Sequence, residues 1–283
     1  LADLVDPPLK LRLVGRLPSL HGAVSIVGTR VADDEALEFA YDLARSAAAE
    51  GRAVVSGGAL GVDRAAHEGA IDAGGETVVV LPIGLDQPYP EANFDLFARV
   101  IKAGCLLTEI DDGTTMQRGR FLARNRLIAA LGASTVVVQA PARSGALSTA
   151  RHAKRLGRTL FAVPASPWDP RGSGNLGLLR KGARICTRPV DVLSGSALPA
   201  ASLSAHGPRK SLDNTDFNHL SHIEQRILGA LGGRSRHPED LCQRTGIPAL
   251  EVQRSILTLL VRGLVEERPG GRFKSCGGRT ESY

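Results

Sequence analysis

From Arg118 to Trp168 the chain has no aspartate and no glutamate. Chemistry that needs a paired acid and base in that stretch is therefore excluded. Aromatic residues are only 4%, which argues against a long platform of rings for stacking bases. The four cysteines (Cys105, Cys186, Cys242, Cys276) are scattered and lack zinc-ligand spacing. They predict a reduced, cytoplasmic protein without a structural metal. No apolar run reaches the roughly 18 residues of a membrane span, and no charged-then-apolar leader opens the chain, so neither membrane nor export is expected. The first residue is Leu1 rather than methionine, which predicts that upstream residues have been removed. Gly-x-Gly-x-x-Gly spacing and a Walker lysine are both missing, so neither a dinucleotide nor an NTPase site is supported and no cofactor is expected. No internal repeat is found.

What the chain does have is unevenly placed charge. At 283 residues and 43% hydrophobic, it has room for one large α/β domain and a small companion. Residues 1–117 carry 9 Lys/Arg against 18 Asp/Glu, while residues 118–190 carry 14 Lys/Arg against Asp169 alone. Part of this basic segment can pair with the acidic first half. What remains is either a solvated surface or the footprint of a polyanion.

Residues 1–21 read as a lead-in. Asp6-Pro7-Pro8 forbids regular helix, and Leu9, Leu11 and Leu13 alternate like a short edge strand. Strands are predicted at 23–27, 53–56, 77–81, 105–109, 135–138 and 159–163. Helices are predicted from Asp33-Asp34-Glu35 to about Glu50, from an Asp63 cap to about Ala73, over 92–103, from the arginine-rich stretch to about Leu131, and from about Leu147 to Leu156. Alternating strand and helix predicts a doubly wound parallel sheet. Arg171-Gly172-Ser173-Gly174-Asn175 reads as a glycine-rich loop. Residues 196–218, rich in Ala, Ser and Pro, read as a linker. Residues 219–276 read as three helices and a hairpin, a winged-helix-like domain. Its third helix shows only Arg254 and Arg262, with Glu251 beside them, which favours a protein contact over base reading.

Ligands of such sheets sit beyond the carboxyl ends of the strands. There the sequence places Gly28-Thr29-Arg30, Ser56-Gly57 through Gly61, the stretch Arg118-Gly119-Arg120-Phe121-Leu122-Ala123-Arg124-Asn125-Arg126, and Ser144-Gly145. Arginines beside glycine-rich strand ends suit phosphates, so Arg30, Ser56, Arg124 and Ser144 are expected on one rim. Arg120 and Arg124 fall about 40° apart on one helical face, Arg126 points elsewhere, and one or two of the four arginines serve the fold. Phe121 reads as core before base-stacking ring, His67 as a locally hydrogen-bonded helix residue, and Glu109, Asp111 and Asp112 as a solvated turn rather than a metal site.

The pieces Val24–Arg30, Val55–Gly57 through Gly61-Val62-Asp63 and Ala66-His67, Gly84–Asp86 with Tyr89-Pro90, Arg124-Asn125-Arg126, and Ser144–Leu147 with Thr149 together resemble the DNA-processing protein A family (DprA, also called Smf). The likeness covers about residues 1–193 in order, and the tail resembles the winged-helix domain many members carry. The resemblance implies an extended Rossmann-like DNA-binding domain, here residues 22–195, that forms homodimers. It implies a non-enzymatic protein of natural transformation that binds and protects incoming single-stranded DNA and loads the RecA recombinase onto it. It also implies a DNA pocket made by Gly28, Thr29, Arg30, Ser56, Gly57 and the residues around Arg124, Asn125 and Arg126, with Arg118, Phe121, Ser144, Gly145 and Lys154 lining it. The sequence departs from the family at Gly58, where Leu or Met is usual, at Gln139 for a glutamate, at Ala165 for a glycine, and over Asn175-Leu176-Gly177. Two other readings share the fold: a phosphoribohydrolase, which lacks its carboxylate here, and a nucleotide-sensing scaffold.

Overall fold

The computed structural model describes residues 1, 3–194, 220–232 and 234–276. The chain divides into two compact units, Leu1–Ala197 and Leu198–Tyr283. The linker expected at 196–218 lies outside the described residues.

In the first unit the chain runs β1 (Arg12–Gly15), β2 (Val24–Val27), α1 (Asp34–Ala49), β3 (Val54–Ser56), α2 (Val62–Asp72), β4 (Thr77–Val80), α3 (Phe94–Ala103), β5 (Gly104–Thr108), α4 (Arg118–Leu131), β6 (Ser134–Val137), α5 (Ala146–Arg155), β7 (Thr159–Ala162), α6 (Ser173–Arg180), β8 (Arg184–Ile185) and α7 (Val190–Leu193). The eight strands lie in the order β1-β5-β4-β3-β2-β6-β7-β8. All pair in parallel except β1, which runs antiparallel to β5 with Arg12 opposite Thr108. The central strands are valine-rich because both their faces are covered. Val24, Ile26, Val54 and Val136 pack under α1 and α2 on one face, and Val27, Val55, Val78 and Val137 meet α4 and α5 on the other.

Two polar residues of these strands bond neighbouring backbone. Ser25 Oγ donates to the Ile128 carbonyl of α4 at 2.7 Å, and Thr77 Oγ1 to the Val54 carbonyl at 2.8 Å. The chain builds outwards from β2 to β5, then returns to lay β6 on the other side of β2. The loops after β2 and β6 therefore diverge at the carboxyl edge, where such sheets open a crevice. The Thr29 N–H ties them at the base by donating to the Gln139 carbonyl at 2.7 Å.

Two expectations change, and one strand was not foreseen. The lead-in strand begins at Arg12 and Leu9 stands fully exposed, because only residues 12–15 find partners on β5. The stretch 171–175 is not a loop: a 3-10 turn at Pro170–Gly172 runs straight into α6. Its Asn175 is buried and its Nδ2 lies 2.9–3.0 Å from the carbonyls of Val137, Val138 and Val163, pinning α6 over the ends of β6 and β7. The two-residue strand β8 was too short to carry an alternation signal.

The second unit contains α8 (His222–Leu231), α9 (Pro238–Thr245), α10 (Ala249–Val261) and a hairpin of β9 (Val265–Arg268) and β10 (Arg272–Ser275). Ser221 and Glu224 form a reciprocal cap at the start of α8. A single bridge between Arg236 and Phe273 adds a third short strand position, completing a winged-helix arrangement around Ile227, Leu231, Leu241, Val252 and Ile256. Outward on α10 stand Leu250, Leu257 and Val261, 66%, 62% and 90% exposed. Among the described residues no helix is long and apolar enough to cross a membrane.

His67, on α2, is wholly buried, and its partner is not local: Nδ1 lies 2.7 Å from Thr77 Oγ1 on β4. Thr77 gives its own proton to Val54, so Nδ1 carries the imidazole hydrogen. Burial, helped by the charge of Arg124, pushes the His67 pKa down to about 3. The unfolded chain takes up this proton near pH 6.5 and the folded chain only near pH 3, so stability falls as pH drops through that window. The expected slope from this residue is on the order of 1.4 kcal/mol per pH unit. Urea unfolding of the parent and of His67→Asn, from neutral pH downwards, should show the steeper acid loss in the parent. Parallel curves would show that the imidazole takes up its proton in the folded state as readily as in the unfolded one.

Candidate nucleic-acid interface

Arg30 projects from the loop after β2 and is exposed. Its guanidinium carbon lies 5.2 Å from the centroid of the Phe121 ring, within cation–π range. Phe121 stands half-buried in the first turn of α4, and Tyr89 meets it edge-on at 5.9 Å and 83°. These three, with Gly57, Leu60, Pro82, Pro90 and Arg124, enclose a cleft of about 40 Å³. Aromatics are scarce in this chain, so two rings meeting under an arginine mark the place. Tyr89 was not among the residues expected there; only its sequence pairing with Pro90 hinted at it.

Arg124 sits one helical turn below Phe121 and is buried, 7% exposed. Its Nη1 donates to the Gly57 carbonyl at 2.8 Å and to the Val80 carbonyl. Opposite lies Asp63, whose Oδ2 accepts the N–H groups of Gly57 at 3.2 Å and Ala59 at 3.4 Å. Asp63 is thus no cap: α2 starts at Val62 with Gly61 before it, and Asp63 turns back from the first turn to hold the loop. Burial raises the Asp63 pKa, with Arg124 opposing. Burial lowers that of Arg124 to about 10, opposed by Asp63 and reinforced by Arg30, so the guanidinium stays charged at neutral pH. Gly57 lies between the two charges. A Cβ there would come within 2.7 Å of Arg124 Nη1 and 2.8 Å of Asp63 Oδ2. Gly58 takes φ +65°, and a Cβ would come within 2.7 Å of Val79, so this chain's departure to glycine goes with a left-handed backbone.

The other expected residues divide into supports and lining. Ser56 is buried with its Oγ donating to the Ile26 carbonyl at 2.6 Å. Asn125 Nδ2 donates to the Gly145 carbonyl at 3.1 Å, joining α4 to the loop after β6. Arg126 grips Glu109 with two bonds of 2.6 Å and the Asp6 carbonyl at 3.0 Å. Ser56 and Arg124, expected on the rim, therefore brace it from behind, and Arg126, expected to point elsewhere, serves the fold. Arg118 is exposed, and Gly28 and Thr29 are half-buried beside Arg30. Ser144, Gly145 and Lys154 line a separate open groove of about 910 Å³. Gln139 faces inwards too: Nε2 donates to Asp33 Oδ2 at 2.5 Å and Oε1 accepts the Asp33 N–H at 3.1 Å. A glutamate there would set two carboxylates together. Asp111 and Asp112 pair with Lys10 and Arg12, and the described residues contain no cluster of His, Cys, Asp and Glu able to hold a metal.

Residues 1–196 match the family model of DNA recombination-mediator protein A, and residues 216–271 match that of the DprA winged helix domain. A putative DNA processing protein DprA of Mycobacterium tuberculosis is 39% identical over 249 residues, covering 88% of this chain. The chain spans 63% of that relative's length. Two solved structures are similar. DNA processing protein A of Streptococcus pneumoniae has a TM-score of 0.64 at 32% identity, covering 70% of each chain. That of Helicobacter pylori, described for its single-stranded DNA binding mode, has a TM-score of 0.63 at 35% identity, covering 68% of this chain and 88% of the other.

Removing Arg124 leaves Asp63 buried without its counter-charge and the Gly57 and Val80 carbonyls without their donor. Arg124→Ala should therefore cost about 3–5 kcal/mol of stability, and Arg124→Met paired with Asp63→Asn should recover part of it. Chemical unfolding decides this: a single variant as stable as the parent would mean the buried charge does not hold the loop.

Proposed function

Because the chain belongs to the DNA recombination-mediator protein A family, we propose that it binds single-stranded DNA along the carboxyl edge of its sheet and performs no chemistry on it. The observation that carries this reading is the exposed Arg30 guanidinium set over the Phe121 ring at the sheet's switch point. Arg30 meets a phosphate and Phe121 offers a ring to the adjoining base. Gly28, Thr29 and Arg118 flank this pair, and Ser144, Gly145 and Lys154 continue the surface. Ser56, Gly57, Arg124, Asn125 and Arg126 hold it in place from behind.

A crevice at strand ends admits one backbone more readily than a duplex. The carboxylates best placed to act, Asp63 and Glu109, are tied to backbone amides and to Arg126, which supports a binding role rather than hydrolysis. α10 exposes Leu250, Leu257 and Val261 with Arg254 as its one cation and Glu251 beside it, which favours a protein contact for the winged-helix unit. In the cell this role is protection of incoming DNA in natural transformation by a cytoplasmic homodimer that hands the strand to the RecA recombinase.

A charge-assisted phosphate contact contributes on the order of 1.5–3 kcal/mol. Arg30→Ala should thus weaken oligonucleotide binding at least about tenfold and make the salt slope shallower by about 0.7, while leaving thermal unfolding unchanged. The parent should prefer single strands over duplex and mononucleotide, and should release no free base from nucleoside monophosphates with or without magnesium. Parent-like affinity in Arg30→Ala would put the site elsewhere, and base release would make the protein an enzyme.

A further inference from the structure

Trp168 is the chain's one tryptophan, and it stands 86% exposed. It lines neither the Arg30 cleft nor the open groove beside Lys154, and it packs on none of the hydrophobic clusters of its unit. A ring of this size left in water forgoes a large apolar burial, so its place in the fold matters. It lies in the loop that follows β7, beyond the carboxyl end of that strand. β7 is two strands from β2 in the sheet, with β6 between them. At the usual strand spacing, the loop bearing Trp168 and the loop bearing Arg30 leave the sheet roughly 10 Å apart.

The turn that carries the ring is held on every side. Ser166, Pro167, Trp168 and Asp169 form a β-turn, closed by the Asp169 N–H donating to the Ser166 carbonyl at 3.0 Å. Proline at its second position fixes the backbone just before the tryptophan. Asp169 then caps the following 3-10 turn by accepting the Arg171 N–H at 2.9 Å, and Gly172 lies against Ala165 with no room for a Cβ. Arg171 fastens this turn to the Arg30 loop: Nη2 pairs with Asp169 Oδ2 at 3.0 Å and Nη1 with Asp33 Oδ2 at 3.3 Å. Asp33 is in turn held by Gln139 from the end of β6. The loops after β2, β6 and β7 are thus joined, and Trp168 is displayed on the last of them.

We propose that Trp168 is a second stacking ring for the strand held at Arg30, taking the face of a base a short distance along from the one at Phe121. A ring already fixed in place loses little freedom when a base lies on it, and stacking accepts every base because each has a flat face. Two rings set apart suit a few bases rather than a long platform, in keeping with the 4% aromatic content. Arg171 is a positioning residue in this scheme, since its charge is taken by two carboxylates and it acts through the turn. The inference rests on the reading that Arg30 binds a strand.

The test uses the full chain, oligo-dT of about 16 nucleotides and an abasic strand of the same length. Oligo-dT should quench the emission of Trp168 in the parent, and the abasic strand should leave it unchanged. Trp168→Ala should weaken oligo-dT binding at least about fivefold, and Trp168→Phe should restore most of the loss. The salt slope of Trp168→Ala should equal that of the parent, because a base contact releases no counterions. On the abasic strand the two should bind alike, and their thermal unfolding should coincide because the side chain is exposed. Constant emission at saturation, parent-like affinity of Trp168→Ala for oligo-dT, or an equal loss on both strands overturns the stacking role. So does emission that changes on dilution of the free protein, which marks a contact between copies. Arg30→Ala with parent-like affinity overturns the underlying reading instead, so the two failures are told apart.

Discussion

Arg124 carries a full positive charge into the interior, where it ends on the carbonyls of Gly57 and Val80 at the carboxyl edge of two parallel strands. A charge buried this far from water is tolerated only if its donors are satisfied and a counter-charge is near. Asp63 supplies the charge, and because its oxygen accepts the amides of Gly57 and Ala59, the loop after β3 is held from both sides. Gly57 is the residue that fits between them. Phe121 lies three residues before Arg124, on an adjacent part of the same helical face. Anchoring Arg124 therefore sets the height of Phe121, and through it the position of Arg30. The exposed pair inherits its geometry from a buried one.

Charge in this domain is sorted by depth as well as by sequence. Some arginines of the basic segment reach the acidic first half: Arg126 takes Glu109 and Asp6, and Arg158 takes Asp3. These contacts tie the lead-in and the turn after β5 to the helices on one face. Arg143, Arg151 and Arg184 find no such partner among the described residues and remain with their field directed outwards. The same composition thus serves two ends, and the acid-free run from Arg118 to Trp168 is what leaves the second available.

The departures from the family pattern are accommodated locally. Gln139 exchanges hydrogen bonds with both the carboxylate and the amide of Asp33, the residue that caps α1. In the divergent run Asn175-Leu176-Gly177, Asn175 is a buried amide that knits three carbonyls together. Both act behind the rim and leave its exposed cations untouched.

Most of the fold was legible in the chain itself. Valine-rich runs alternating with amphipathic segments specify buried parallel strands and covering helices, and glycines mark where helices stop. The charge imbalance and the absence of a carboxylate from 118 to 168 are one-dimensional facts, and by themselves they left a solvated surface and a polyanion footprint as equal readings. Arg30 at the tip of the first central strand could be placed because strand direction alone decides which end is the crevice. What no local pattern could tell was which arginine of the run 118–126 goes inside. Arg124 and Arg126 look alike in sequence, yet one is drawn to backbone carbonyls 44 and 67 residues away and the other to Glu109. The role of Asp63 was hidden for the same reason, since a carboxylate in a first helical turn reads as a cap until a buried cation stands opposite. Tyr89 beneath Phe121 and the separation of cleft from groove also depend on residues brought together from distant loops. Depth and partner are properties of the packed sheet, and only the tertiary structure decided them, because the cost of burying a charge is settled by what surrounds it.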